Sequence, residues 1–237
     1  MTQSGAAPVT LITGGGSGIG AATTRRLLEQ GHRVAITGRR KERLDEFAAE
    51  VGAGEALLTI AGDAADHEAV QAAVDTTVAT FGRLSGVVAN AGISTHDSLV
   101  DGDPAEWQDM LLTNVLGPAV LIRAALPALR DTQGRIVLVG STAGVKNTPG
   151  NMYSVTKWAV SALAENARVL VTGSGVGVTL VAPGRVDTSF WDSRPDGVPD
   201  GPIMTPENIA TSIVFALSQP PGIEINSLVI RPSGQLF

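Results

Sequence analysis

The chain contains no cysteine, which excludes disulfides, thiolate metal sites and cysteine nucleophiles together. Histidine is scarce as well. His32, His67 and His96 stand far apart, with no HExxH-like spacing, so no zinc site is expected. There is no excess of positive charge: the formal net charge is −6, which argues against non-specific binding to nucleic acid or to an anionic membrane. The opening MTQSGAAP has neither a basic segment nor a long apolar one, so no signal peptide is expected. No run approaches the ~18 apolar residues of a membrane span. These absences point to a cytoplasmic protein. Aromatic residues make up 4% of the chain, and tyrosine occurs once, at Tyr153.

That tyrosine lies in STAGVKNTPGNMYSVTK, residues 141–157, with Lys157 four residues on. The run SVTKWAVSALAENARVL repeats apolar and small residues at helical spacing, predicting a helix that begins near Asn151. On such a helix, Tyr153 and Lys157 share a face, one turn apart. An ammonium beside a phenol favours the phenolate, and this predicts a Tyr153 pKa below the reference of about 10. A phenol lowered in that way can serve as an acid and a base near neutral pH. Upstream, GRIVLVGSTAG reads as a buried strand that brings Ser141 to the carboxyl edge of a sheet. A Tyr–Lys pair at this spacing is most often a surface pair, so its meaning depends on the rest of the chain.

Residues 9–13, VTLIT, form a short β-branched run. Gly14-Gly15-Gly16-Ser17-Gly18-Ile19-Gly20 follows at once, and AATTRRLLEQGH then reads as a helix. A glycine turn between strand and helix lets backbone N–H groups approach a pyrophosphate at the positive helix end. The spacing is T-G-x-x-x-G-x-G rather than G-x-G-x-x-G. The second strand, RVAIT, ends in Gly38-Arg39-Arg40, where an NAD-binding unit would carry an acid for the ribose 2′-hydroxyl. Arginines there suit a 2′-phosphate, so NADP(H) is expected over NAD(H). Asp63, after the third strand, is placed either to accept from an adenine amine or to cap a turn. LSGVVANAG gives a fourth strand ending at Asn90-Ala91-Gly92, and a helix is expected across residues 106–129 with Asn114 near its middle. An inward-facing asparagine in a helix needs a buried partner.

The sixth strand ends at Pro183-Gly184, and an irregular segment at about 185–204 carries Phe190 and Trp191. A loop of that length is usually a lid or a binding segment. TPENIATSIVFALSQPP is a helix with Thr205 as N-cap, Pro206 at N1 and Asn208 where a capping box has Glu or Gln. IEINSLVIRP supplies a last strand. Strands and helices alternate without a composition break. That predicts one α/β domain over residues 1–237, a doubly wound parallel sheet flanked by helices. Such a sheet binds ligands at the carboxyl ends of its strands.

Taken together, TGGGSGIG, NAG, Asn114, Ser141, YSVTK and PGRVDT resemble the short-chain dehydrogenase/reductase family over essentially the whole chain. The resemblance implies a single-domain, seven-stranded, Rossmann-like sheet. It implies Asn114, Ser141, Tyr153 and Lys157 as the catalytic set, with Tyr153 exchanging a proton as hydride moves between cofactor and substrate. For the cofactor it implies Gly14, Gly16, Ser17, Gly18, Ile19, Gly20, Arg39, Arg40, Asp63, Asn90, Ala91 and Gly92. Tyr153, Lys157, Pro183, Gly184, Val186 and Thr188 complete that set. Lys157 would hold the nicotinamide ribose, and Asn114 would position a water that relays protons from Lys157. GRRKERL and NSLVIRP look like the NADP-dependent branch that acts on small hydroxy acids or carbonyls. Val145, Met152, Phe190 and Trp191 would line the substrate pocket with Arg185 nearby, suiting a mainly apolar carbonyl or alcohol that can carry an acidic group. Ser141 lies twelve residues before Tyr153, where many members have thirteen, so a slightly shorter loop is expected. A homodimer or homotetramer packed on the helices around Asn114 and Tyr153 is expected, with Gln235-Leu236-Phe237 free to join the interface. The alternatives are an NAD-linked alcohol dehydrogenase and a cofactor-bound sensor that has lost catalysis; the intact Asn, Ser, Tyr and Lys set speaks against the sensor.

Overall fold

The computed structural model describes residues 6–194 and 196–235. Its strands are β1 (Val9–Thr13), β2 (Arg33–Gly38), β3 (Leu57–Ala61), β4 (Gly86–Ala89), β5 (Arg135–Val139), β6 (Gly177–Pro183) and β7 (Ser227–Ile230). They form a seven-stranded sheet in the order β3-β2-β1-β4-β5-β6-β7, and every neighbouring pair is parallel. The expected doubly wound α/β sheet is therefore present. The winding reverses between β1 and β4, which opens a crevice at their carboxyl ends.

Parallel neighbours need crossovers, and helices supply them. These are α1 (Gly18–Glu29), α2 (Lys41–Val51), α3 (His67–Phe81), α4 (Pro104–Leu111), α5 (Gly117–Thr132), α6 (Met152–Val171) and α7 (Pro206–Leu217). One core layer lies under α3, α5 and α6, built on residues such as Val74, Leu121, Leu129 and Val160. A second lies under α1, α2 and α7, with Leu27, Leu44, Phe47 and Ile213. Strands covered on both faces read as unbroken apolar runs. VTLIT and RIVLV accordingly bury every residue, whereas the edge strands β3 and β7 bury none completely.

The expected helix ends are found. Asn151 caps α6 by accepting from Ser154 N at 2.7 Å. Asn208 Oδ1 accepts from Thr205 N at 2.9 Å, so the amide does what a carboxylate does in a capping box. The helix expected across residues 106–129 is interrupted: a π-helical turn, Leu112–Leu116, joins α4 to α5. By length and mean hydropathy, 1.5 over its most apolar window, the stretch Pro104–Thr132 is apolar enough to cross a membrane. Here its apolar residues, among them Leu121, Ala125 and Leu129, form core against the sheet.

The segment after β6 is less irregular than expected. Val186 and Met204 form a parallel bridge, Met204 N donates to Arg185 O at 3.0 Å, and Asp187 N donates to Met204 O at 2.8 Å. The two ends of the loop are thus stitched together, and Ser189–Trp191 forms a 3-10 turn within it. Of the three terminal residues, Gln235 accepts from Arg185 N at 3.0 Å; Leu236 and Phe237 lie outside the described residues.

Candidate active site

The cleft at the switch point encloses about 890 Å³. Its floor is the glycine turn. Gly14 and Gly18 have φ of 65° and 48°, in the left-handed region that costs a residue with a Cβ. The turn is braced from β4: Asn90 Nδ2 donates to Thr13 O at 3.0 Å and Gly14 O at 3.1 Å, while the Asn90 and Ala91 amides donate to Thr13 Oγ1. Gly14, Gly16, Ser17, Gly18 and Ile19 line the cleft, and Ser17 offers no side-chain cap to α1. The helix therefore presents unsatisfied N–H groups to the cavity, as an anion site requires. Gly20 is not among the lining residues; it packs behind the turn, where a Cβ would strike the Gly14 carbonyl.

At one end of the cleft stand Arg39, Arg40 and Arg43. None of the three belongs to an ion pair among the described residues. Arg43 was not anticipated, although it sits in the same GRRKERL run, one helical step beyond Arg40. Asp63 lines the cleft nearby and accepts from Ala65 N at 2.9 Å, so it is both a turn residue and a wall residue. These residues fit a dinucleotide with a 2′-phosphate: N–H donors lie at a helix start, glycines leave room for a pyrophosphate, and three guanidiniums await a dianion.

At the other end, β5 delivers Ser141 and α6 delivers Tyr153 and Lys157 into the same cleft. Ser141 Oγ accepts from Ala143 N at 3.1 Å. Two α6 hydroxyls hold this turn: Ser154 Oγ donates to Ala143 O at 2.6 Å and Ser161 Oγ to Gly144 O at 2.9 Å. The approach is close enough that a Cβ on Gly144 would lie 2.6 Å from the Lys157 carbonyl carbon. Lys157 is buried, and its Nζ donates to Val139 O at 3.0 Å.

The electrostatics correct one expectation. Burial pushes the Tyr153 phenol up to about 12, partly offset by a hydrogen bond with Ser141, and burial pushes Lys157 down to about 8. The ammonium does not dominate, because Nζ is drawn to the end of β5 and lies 5.6 Å from the Tyr153 ring centroid. Desolvation outweighs charge pairing at this site.

Asn114 does not line the cleft. It is buried in the π-helical turn, with both ends of its amide hydrogen-bonded. Oδ1 accepts from Ile93 N at 2.9 Å, and Nδ2 donates to Ile93 O at 2.9 Å and to Thr156 Oγ1 at 3.0 Å. It thereby fixes the Gly92–Ile93 backbone against α6.

Of the expected substrate residues, Arg185, Phe190 and Trp191 line the cleft together with Val186 and Thr188. Val145 and Met152 do not; Ala143, Thr148 and Asn151 form that wall instead. Val145 follows the 3-10 turn Thr142–Gly144, and Met152 opens α6. Arg185 Nη1 donates to Asp200 O at 2.5 Å. The sequence reading also missed His96. Its backbone has φ 57°, and its ring lines the cleft beside Phe190 and Trp191. A histidine with no neighbouring ligand residues gave no sequence signal for this.

A doubly wound parallel sheet with a T-G-x-x-x-G-x-G turn and a Ser–Tyr–Lys cluster at its carboxyl edge defines a class of nucleotide-binding fold. Within that class, the family described as short chain dehydrogenase matches residues 8–198, and the chain belongs to it. An uncharacterized oxidoreductase of Staphylococcus aureus (strain MW2) is 30% identical over 226 residues, covering 94% of this chain and 96% of its own. Among solved structures, an alcohol dehydrogenase from the archaeon Thermococcus sibiricus, complexed with 5-hydroxy-NADP, superposes with a TM-score of 0.88 at 29% identity, covering 97% of this chain and 98% of that one. A 3-ketoacyl-(acyl-carrier-protein) reductase from Brucella melitensis, complexed with NADH, gives 0.85 at 26% identity, covering 96% and 98%.

Proposed function

We propose that the protein is an NADP(H)-dependent oxidoreductase that interconverts a carbonyl and a secondary alcohol, with Tyr153 as general acid and base. The observation that carries this reading is the convergence of Ser141, Tyr153 and Lys157 on the cleft that also holds the glycine turn. A nicotinamide nucleotide supplies or accepts the hydride when bound there. In the reductive direction Tyr153, neutral across the physiological range, donates its phenolic proton to the substrate oxygen. Ser141 accepts from Ala143 N and hydrogen-bonds Tyr153; when substrate enters, its O–H turns to the substrate oxygen and steadies the developing charge. Lys157 binds the ribose hydroxyls. With a pKa near 8 it is suited to return a proton to Tyr153.

The three arginines beyond β2 favour NADPH, and the NADP-type ligand of the Thermococcus enzyme agrees. The NADH in the Brucella enzyme supports a second reading, an NAD-linked enzyme. Assembly as a homodimer or homotetramer is supported by exposed apolar residues on adjoining helices: Leu116 (44% exposed), Val155 (51%) and Trp158 (44%).

The test is cofactor consumption by the purified protein with NADPH and with NADH, across aldehydes, ketones, diketones and keto acids. The expected result is at least tenfold higher kcat/KM with NADPH. Tyr153→Phe should lose about 10²–10⁴-fold in turnover while still binding NADPH. Retention of more than about a tenth of the activity would remove Tyr153 from the chemistry. Tight NADPH binding with no turnover on any carbonyl would support a sensor instead.

A further inference from the structure

His96 and the Phe190–Trp191 turn are 94 residues apart in sequence and joined in space. His96 Nε2 lies 3.0 Å from Phe190 O. A carbonyl only accepts, so Nε2 carries the proton and donates. The imidazole stacks on Trp191 (5.4 Å between centroids, 24° between planes) and meets Phe190 edge-on (4.9 Å, 82°). Phe190 in turn lies 5.3 Å from the Tyr153 ring. Ser193 Oγ adds a second tie to the same strip of backbone, donating to Ser94 O at 3.3 Å.

Both partners are held from behind. Trp191 Nε1 donates to Val186 O at 2.8 Å, which fixes the indole against the start of its loop. On the other side, Asp97 accepts from Trp107 Nε1 on α4 at 2.9 Å and from Thr95 Oγ1 at 2.6 Å. The backbone at His96 takes a left-handed φ of 57°, a conformation that a residue with a Cβ keeps only when its surroundings hold it there. Here His96 N donates to Ser94 Oγ at 3.2 Å, and the contacts of the imidazole with the loop add to that hold.

We propose that His96 is a positioning residue that sets substrate size: it clasps the Phe190–Trp191 turn over Tyr153 and so confines the site to compact carbonyl substrates. A bulky substituent on that side of the reacting carbon would have to displace Phe190, and with it the hydrogen bonds to His96 Nε2 and Thr188 Oγ1 and the ring contacts with His96, Tyr153 and Trp191. The clasp itself follows from geometry alone. Its consequence for substrates rests on the oxidoreductase reading above, so the test has one arm that does not need turnover.

The first arm is hydrogen–deuterium exchange over the peptide spanning residues 186–194, on the full-length protein without substrate. His96→Ala should speed exchange there at least tenfold. His96→Gln keeps a donor of similar reach and should restore at least half of the lost protection on a logarithmic scale. The second arm is the ratio of kcat/KM for butanone to that for benzophenone, with NADPH. His96→Ala should lower that ratio at least tenfold, by improving KM for the bulky ketone rather than kcat for the small one. Unchanged exchange in His96→Ala overturns the clasp, whatever the activity. Faster exchange with an unchanged ratio overturns the substrate consequence. Faster exchange in a protein whose wild type turns over no carbonyl upholds the clasp and overturns the oxidoreductase reading.

Discussion

Lys157 sits in an unfavourable medium for a cation. Among the described residues its Nζ makes one hydrogen bond, to Val139 O, and burial lowers its pKa from 10.5 to about 8. A unit of pKa is about 1.4 kcal/mol, so a folded chain that keeps this lysine charged at pH 7 bears a cost of about 3 kcal/mol. The unfolded chain keeps its proton up to 10.5, whereas the folded chain sheds it near 8. Between those values the unfolded state binds more protons, and stability rises with pH. Tyr153 has the opposite sign: its proton stays on to about 12 in the folded state, so stability falls from pH 10 to 12. Replacing the cation should therefore stabilise the fold while removing the chemistry. Lys157→Met is expected to raise the melting temperature at pH 7 by about 4–8 °C, after a discount of about 1 kcal/mol for the lost hydrogen bond. That gain should shrink above pH 8, and turnover should fall at least a hundredfold. Calorimetry at pH 7 and pH 10 checks the sign; a drop in melting temperature at pH 7 would mean the ammonium is a net stabiliser. The sequence showed that Tyr153 and Lys157 share a helix face, but not which effect governs their pKa values. Burial comes from β5, the Ser141 turn and the loop bearing Phe190, none of which is local to α6.

At the level of elements, α6 and the turn after β5 behave as one body. Ser154 and Ser161 donate into that turn, and Gly144 lets its backbone rest on the Lys157 carbonyl. Gly144→Ala forces a Cβ into backbone that cannot give way, at a cost of about 1–3 kcal/mol. The displaced turn carries Ser141, so kcat should fall at least tenfold while the Kd for NADPH changes little. Urea denaturation together with steady-state kinetics reads both quantities, and a variant with wild-type kcat would show that the turn can shift without moving Ser141. The elements themselves were legible, because short apolar runs, period-3.6 apolar patterns, glycine turns and caps are local signals. The π-helical turn around Asn114 was not, because it arises where that amide is drawn to Ile93 and Thr156 across the fold. The same applies to Val145 and Met152, whose types suit a pocket wall but whose places are set by the 3-10 turn and the start of α6.

For the whole molecule, the alternation of strands and helices was enough to anticipate the sheet and the edge that carries the site. Contacts between distant loops were not available from any pattern, and His96 is the clear case. A self-associating surface is the expectation that belongs at this scale. If α5 and α6 meet a second copy, Trp158→Glu should convert the native assembly to smaller species by light scattering on a size-exclusion column. An unchanged mass would place any interface elsewhere. The bridge between Val186 and Met204, with its flanking hydrogen bonds from Asp187 N and Met204 N, has a wider consequence. The bridge ties the two ends of this loop to each other, so the loop between them can be lengthened, shortened or exchanged with little effect on the sheet. Doubling such a loop costs only about 0.6 kcal/mol in closure entropy. The stitch is thus a splice point: what the cleft accepts can be redrawn by rewriting one closed loop while the sheet stays as it is.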